Sequence, residues 1–233
     1  MELRCPSDLK RATMFGARKK PSRPLLTTEF ILLFALGPVA LYLFATTRMI
    51  IYGLLLATTA YAVVQAWRTP GFSWTYLWQG EGWSAEERKR ATLVFLLCAA
   101  GLTATTLLIA PDRLFEFPLH RTGLWAMVML LYPILSVLPQ EMIFRSFFMT
   151  RYEELFPNRW VLIGMSGLCF GLSHLILNNW IAPTFSTVGG MIFAYGFDRH
   201  RSLKWATIEH AVYGCFVFTI GIGWLFFTGN ARP

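Results

Sequence analysis

The sequence predicts an all-α protein, a polytopic membrane helix bundle of about seven transmembrane helices with its N-terminus in the cytoplasm. Three observations predict this class. Of 233 residues, 55% are hydrophobic and only 15% charged, and the mean hydropathy of +0.47 with nine Trp is that of membrane proteins rather than soluble domains. Seven apolar runs are long enough for a hydrocarbon core about 30 Å thick, which takes roughly 20 helical residues. The basic residues also segregate to one side of these runs, as cytoplasmic loops require.

The runs are 30–47, 49–67, 91–110, 124–149, 160–177, 180–197 and 205–227, the fourth being interrupted by Pro133 and Pro139. With the N-terminal tail inside, sixteen of the 21 Lys and Arg fall on the tail side, four fall outside, and Arg145 lies within the fourth span. Seven spans place the C-terminus outside. The net charge of +8 is accounted for by these cytoplasmic segments. Basic residues there face anionic headgroups at about 1 kcal/mol each, so the charge points to the lipid bilayer as partner and not to nucleic acid. The basic stretch ahead of an apolar one imitates a signal peptide, but no small-residue cleavage site follows Phe30, and the first run reads as an uncleaved span.

Residues 1–27 form a basic cytoplasmic tail, and 28–233 form a single membrane domain without internal repeats. The loop 68–90 carries Trp74, Tyr76, Trp78 and Trp83, suited to interfacial anchoring. Within it, Ser84 and Glu87 have capping-box spacing, so Ser84 is expected to cap a short helix that leads into the third span. Cys5, Cys98, Cys169 and Cys215 lack ligand spacing and read as free thiols. Gly167-Leu-Cys-Phe-Gly171 is a GxxxG, expected to bring two helices close together.

Chemistry is expected where ionisable groups fall at membrane depth, because such groups cost several kcal/mol there unless they face one another or a wet cavity. Glu141 and Arg145 are four residues apart on one helical face, with the acid on the N-terminal side, the better order for an ion pair. Gln140 points about 100° away from that face. His174 shares a face with Phe170, and Glu209-His210 lies in the last span with Gly214 one turn on, where the missing side chain leaves space. A lone intramembrane His is often only bonded to a backbone carbonyl, and a lone Glu/Arg pair is often structural. Three such features in the four C-terminal spans argue for a site: an acid, an amide and two imidazoles converging from three helices can activate a water and stabilise an oxyanion.

The motifs Gln140-Glu141-Met-Ile-Phe-Arg145, Phe170-Gly-Leu-Ser-His174 and His210-Ala-Val-Tyr-Gly214, in this order, resemble the CPBP or Abi family of intramembrane proteases, relatives of the CAAX prenyl endopeptidases. The resemblance covers about 124–227, the CAAX protease-like core. It implies that the first position of the first motif and His174 activate the hydrolytic water, and that His210 and the residue at 214 bind the oxyanion. Two positions depart from the pattern: Gln140 stands where the family has a Glu, and Gly214 where it has an Asn. An amide cannot take a proton from water, so the base falls to Glu141, Glu209 or His174. The expected activity is hydrolysis of a peptide bond, in a membrane-associated peptide or protein, near the cytoplasmic side of a cell membrane.

Straight helices of about 1.5 Å rise per residue would place His174 about 21 Å in from Trp160 and His210 about 9 Å in from Lys204. The cavity is therefore expected in the inner half of the membrane, open to the cytoplasm, with a tilt or an interfacial first turn closing the gap. Two other classes fit part of the pattern. A catalytically impaired relative would act as a membrane scaffold in bacteriocin immunity or protein sorting, and a proton-coupled transporter would use the same buried groups as a relay, although no inverted repeat supports it. No cofactor is expected. His174, His210, Glu141 and Glu209 have the chemistry of a zinc shell, but there is no HExxH helix, and Arg145 beside Glu141 would repel a dication, so the metal-free reading is preferred.

Overall fold

A computed structural model describes residues 21–44, 48–68, 78 and 83–227. The basic tail up to residue 20, with Cys5, and most of the 68–90 loop, with Trp74 and Tyr76, lie outside the described residues. The described residues are helical and contain no strand. They form α1 (Arg23–Phe44), α2 (Arg48–Trp67), α3 (Ala85–Ile109), the short α4 (Glu116–His120), α5 (Thr122–Arg151), α6 (Arg159–Ser173), α7 (Ile181–His200) and α8 (Leu203–Thr219).

Five of these, α1, α2, α3, α5 and α6 with the 3₁₀ turn that follows it, are long and apolar enough to cross a membrane. The seven runs of the sequence are thus matched by five helices on length and composition. The difference lies in the last two: α7 closes on Asp198, Arg199 and His200, and α8 has 17 residues that include Lys204, Glu209 and His210. The last run is also cut by Gly221 at φ +91°, so only a 3₁₀ turn, Gly223–Phe226, occupies its end.

Local chemistry explains the helix ends. Ser84 caps α3 by accepting from the Glu87 N–H at 3.2 Å, while Glu87 accepts from the Ser84 N–H at 2.9 Å, so the capping box opens the third span itself. Asn158 caps α6 in the same sense. Pro133 and Pro139 do not break α5. The helix runs through them with wide π-type turns at Pro133–Val137 and Met142–Phe147. Such turns absorb a missing N–H donor and are frequent at functional sites.

Ion pairs gather one end of the bundle. Arg151 at the end of α5 holds Glu29 at the start of α1 through two bonds of 2.7 and 2.9 Å, and Tyr152 and Tyr61 donate to the same carboxylate. Burial and the adjacent Glu29 charge push the Tyr152 phenol above its ordinary range, which keeps it a donor. Arg159 at the start of α6 pairs with Asp198 at the end of α7 at 2.7 Å. These contacts place the start of α1 and the ends of α2, α5 and α7 on one side, the side of the basic tail.

At the opposite side the end of α1 meets the turn after α6, where Ile176 and Leu177 pack with Leu41, Ile51 and Phe226. Between the two ends a core of Phe34, Phe144, Phe147, Phe148 and Tyr152 joins α1 to α5 through edge-to-face rings. The GxxxG does what its spacing predicts. A Cβ at Gly167 would press on Met191 and the Thr187 carbonyl, and one at Gly171 on Thr187 and the Pro183 carbonyl, so α6 and α7 are in backbone contact. Cys98, Cys169 and Cys215 are free thiols.

Candidate active site

The Glu141–Arg145 pair forms as its spacing requires, with Arg145 Nε 3.1 Å from Glu141 Oε2 and both side chains at 0% exposure. The other carboxylate oxygen, Oε1, accepts from His210 Nδ1 at 2.9 Å, which ties α5 to α8. Arg145 Nη1 donates to Ser166 Oγ at 3.0 Å, and Ser166 in turn donates to the Phe144 carbonyl, which adds α6. The guanidinium lies 5.2 Å from the Phe170 ring centroid and 5.7 Å from that of Phe193, so aromatic faces replace part of its lost hydration. Oε1 of Glu141 is therefore hydrogen-bonded to His210 and Oε2 is ion-paired with Arg145 without a hydrogen bond, which makes the carboxylate a structural node.

His174 follows the last turn of α6. Its Nδ1 lies 2.8 Å from the Phe170 carbonyl and so carries the proton, which leaves Nε2 as the basic nitrogen. Ser173 donates to the same carbonyl at 2.7 Å. The two histidines converge on one ring: Phe170 lies edge-on to His174 at 4.7 Å and to His210 at 5.3 Å. The fold thus closes the depth gap that straight helices would leave. Phe193 stacks on His210 at 4.7 Å and 17°, which fixes the imidazole plane.

A cavity of about 740 Å³ has His174, Ser173, Gln140, Ser136 and Tyr132 on its wall. Apart from Tyr52 and Thr58 of α2, the rest of its lining is apolar, with Leu33 and Leu41 of α1, Ile51 and Leu54 of α2, and Phe144 and Phe226. Gln140 Nε2 donates to Ser136 Oγ at 2.8 Å, and Gln140 Oε1 is buried without a hydrogen-bond partner. Glu141 and His210 stand behind this wall and do not line the cavity.

Two expectations change. The space expected beside Gly214 is filled, because a Cβ there would collide with the ring and hydroxyl of Tyr132, whose Oη lies 3.4 Å from His210 Nε2. Glu209, one residue from His210, lies about 100° round the helix and lines a different cavity of about 680 Å³, with Trp83, Arg90, Tyr195 and Arg199. Its Oε2 is buried there without a partner. The main cavity also extends from Gln140 and His174 toward Leu41, Ile51, Met127 and Phe226, at the helix ends remote from the basic tail. His174 lies at the far end of α6, and His210 approaches it through the packing of α8 on α5.

Tyr132, Ser136, Ser166 and Phe193 are site residues that sequence reasoning missed. Tyr132, Ser136 and Gln140 lie at i, i+4 and i+8 on α5, a polar stripe in an apolar helix that could have marked the cavity face. Among the described residues no cluster of three or more His, Cys, Asp or Glu is arranged to hold a metal, since Glu141 is doubly paired and Glu209 faces elsewhere.

Fold and site together define a multi-pass helical membrane protein with an imidazole and an amide at the polar end of an apolar cavity. Residues 122–216, under half of the chain, match the family model described as Rce1-like, type II CAAX prenyl endopeptidase Rce1-like, in agreement with the resemblance of the three motifs. No curated protein and no solved structure matches the chain.

Proposed function

We propose that the protein hydrolyses a peptide bond in a membrane-associated peptide or protein, with His174 as general base and Gln140 as the group that positions the water. One observation carries this reading. Of the three candidate bases, only His174 lines the cavity, while Glu141 is locked between Arg145 and His210 and Glu209 faces the other cavity. His174 Nε2 takes a proton from water as the water oxygen attacks the carbonyl carbon, and the carbonyl π electrons move onto oxygen. Collapse of the tetrahedral intermediate reforms C=O and breaks C–N, and the amine leaves with the proton carried by His174. The carbonyl of Gln140, buried without a partner, supplies an acceptor for the second water proton.

The substrate presents an apolar flank, because the cavity beyond the polar end is lined by Leu, Ile and Phe. With α7 and α8 completing seven spans and the tail in the cytoplasm, the cavity approaches the outer side of the membrane, and cleavage takes place toward that side. A second reading, a scaffold without hydrolysis, draws on Gln140, which lacks the proton affinity of a carboxylate. Purified protein in phosphatidylcholine/phosphatidylglycerol vesicles, given a quenched-fluorescence library of apolar-flanked peptides, separates the two. Cleavage that is abolished in His174→Ala is expected. No cleavage by the wild-type chain against the whole library selects the scaffold.

A further inference from the structure

We propose that Tyr132 is a catalytic residue, whose phenol donates a hydrogen bond to the oxyanion formed during peptide hydrolysis, with His210 and Glu141 as the residues that position it. This inference rests on the hydrolase reading above and assigns the oxyanion donor that it leaves open. The geometry begins at Gly214, where the absence of a side chain lets the Tyr132 ring reach across from α5 onto α8. The ring is set edge-on to His210 at 6.4 Å and to Phe218 at 5.2 Å. Tyr132 is thereby held between His210, which is behind the wall, and the cavity, which Tyr132 itself lines together with Gln140 and His174.

The hydrogen bonds say where the phenolic proton is. Glu141 accepts from His210 Nδ1, so in the neutral imidazole Nε2 presents its lone pair to the Tyr132 hydroxyl, 3.4 Å away. At 3.4 Å this bond is long for O–H···N and holds the proton weakly. Ser173 and Gln140 on the same wall are more firmly engaged. Ser173 donates to the Phe170 carbonyl at 2.7 Å, and Gln140 Nε2 donates to Ser136 at 2.8 Å. As negative charge develops on the substrate oxygen, the Tyr132 O–H turns from Nε2 to that oxygen, without moving the ring. No proton leaves Tyr132; the bond is a donated hydrogen bond that is made in the transition state and released on collapse. The apolar surroundings strengthen such a bond, and removal of one donor of this kind costs about 10² to 10³ in kcat.

The test uses the full chain in vesicles with the peptide library named above. Tyr132→Phe keeps the ring packing and removes only the O–H. It is expected to lower kcat by about 10² or more while KM stays within about twofold. The volume at the tip of the ring provides a second measurement. Tyr132→Ala empties it, and an amide introduced by Gly214→Asn in the same chain would stand in it, one turn from His210. The double variant is expected to recover at least about tenfold over Tyr132→Ala, whereas Gly214→Asn alone, which collides with Tyr132, is expected to be impaired. A Tyr132→Phe enzyme within threefold of wild-type kcat, or a double variant no better than Tyr132→Ala, overturns the assignment. These outcomes are separate from failure of the hydrolase reading, which would appear as no wild-type cleavage or as cleavage that survives His174→Ala.

Discussion

Replacing Glu141 by Gln tests whether this carboxylate is structural, as the geometry makes it. Glu141 Oε2 lies 3.1 Å from Arg145 Nε, and both groups are fully buried. At an effective dielectric constant of 20 the pair attracts by about 5 kcal/mol, but withdrawing two charges from water costs several kcal/mol per ion, so the intact pair adds little net stability. Breaking it is different. Glu141→Gln removes the ion-pair partner of the buried Arg145 guanidinium and exchanges the charged acceptor of His210 for a weaker, neutral amide oxygen, which costs about 3–5 kcal/mol. Arg145→Met strands the carboxylate and carries a similar cost. The double variant Glu141→Gln/Arg145→Met removes both charges, and its loss is expected to be smaller than the sum of the singles by about 3 kcal/mol or more. Unfolding in mixed micelles, followed by tryptophan fluorescence, measures all three. Singles that each cost less than about 1 kcal/mol, or losses that add, would refute the structural reading of Glu141.

Four further outcomes follow from the same geometry. Gln140→Glu puts a carboxylate on the cavity wall beside His174 and is expected to raise kcat about tenfold or more, read in the vesicle assay; an unchanged or lower kcat counts against water positioning at this residue. Gly171→Ala forces a methyl against Thr187 and the Pro183 carbonyl and is expected to destabilise the protein by about 1–3 kcal/mol in the same unfolding assay, whereas Gly164→Ala, where nothing lies within 4 Å of the added carbon, is expected to be neutral. Elemental analysis of purified protein is expected to find no stoichiometric zinc, and chelators are expected to leave cleavage unchanged; zinc that disappears in both His174→Ala and His210→Ala would reverse this. In a background without the native cysteines, Leu119→Cys, exposed beyond the end of α3, is expected to react with an impermeant maleimide added outside intact cells, and labelling only after lysis would reverse the assigned orientation.

The chain wrote some features plainly and others in a form that only packing decodes. Ser84 with Glu87, Glu141 with Arg145, and Gly167 with Gly171 were legible because each depends on spacing within one helix, and each forms as its spacing requires. Spacing gives a face but not the neighbour that the face meets. Glu209 adjoins His210 in sequence, yet a 100° step round α8 sends it to a different cavity. Tyr132 fills the gap at Gly214 from another helix, 82 residues earlier by the numbering, a coupling with no local signature. The wide turns at Pro133–Val137 and Met142–Phe147 also shift the rotation of α5 beyond what a regular period would give. The apolar residues of the two C-terminal helices predict spans, and the charged end of α7 and the 17-residue length and ionisable residues of α8 set them apart from the other five.

The most direct test of the central claim sets two of the three candidate bases, His174 and Glu209, against each other in a single cleavage assay, with the folded fraction of each variant measured in parallel. His174 lines the cavity with a free Nε2, Glu141 is paired on both oxygens, and Glu209 faces a separate cavity. Per folded molecule, His174→Ala is expected to lose about 10² to 10⁴ in kcat, and Glu209→Gln to keep the wild-type value within about threefold. Glu209→Gln falling as far as His174→Ala is expected to, while His174→Ala retains wild-type turnover, would contradict the account.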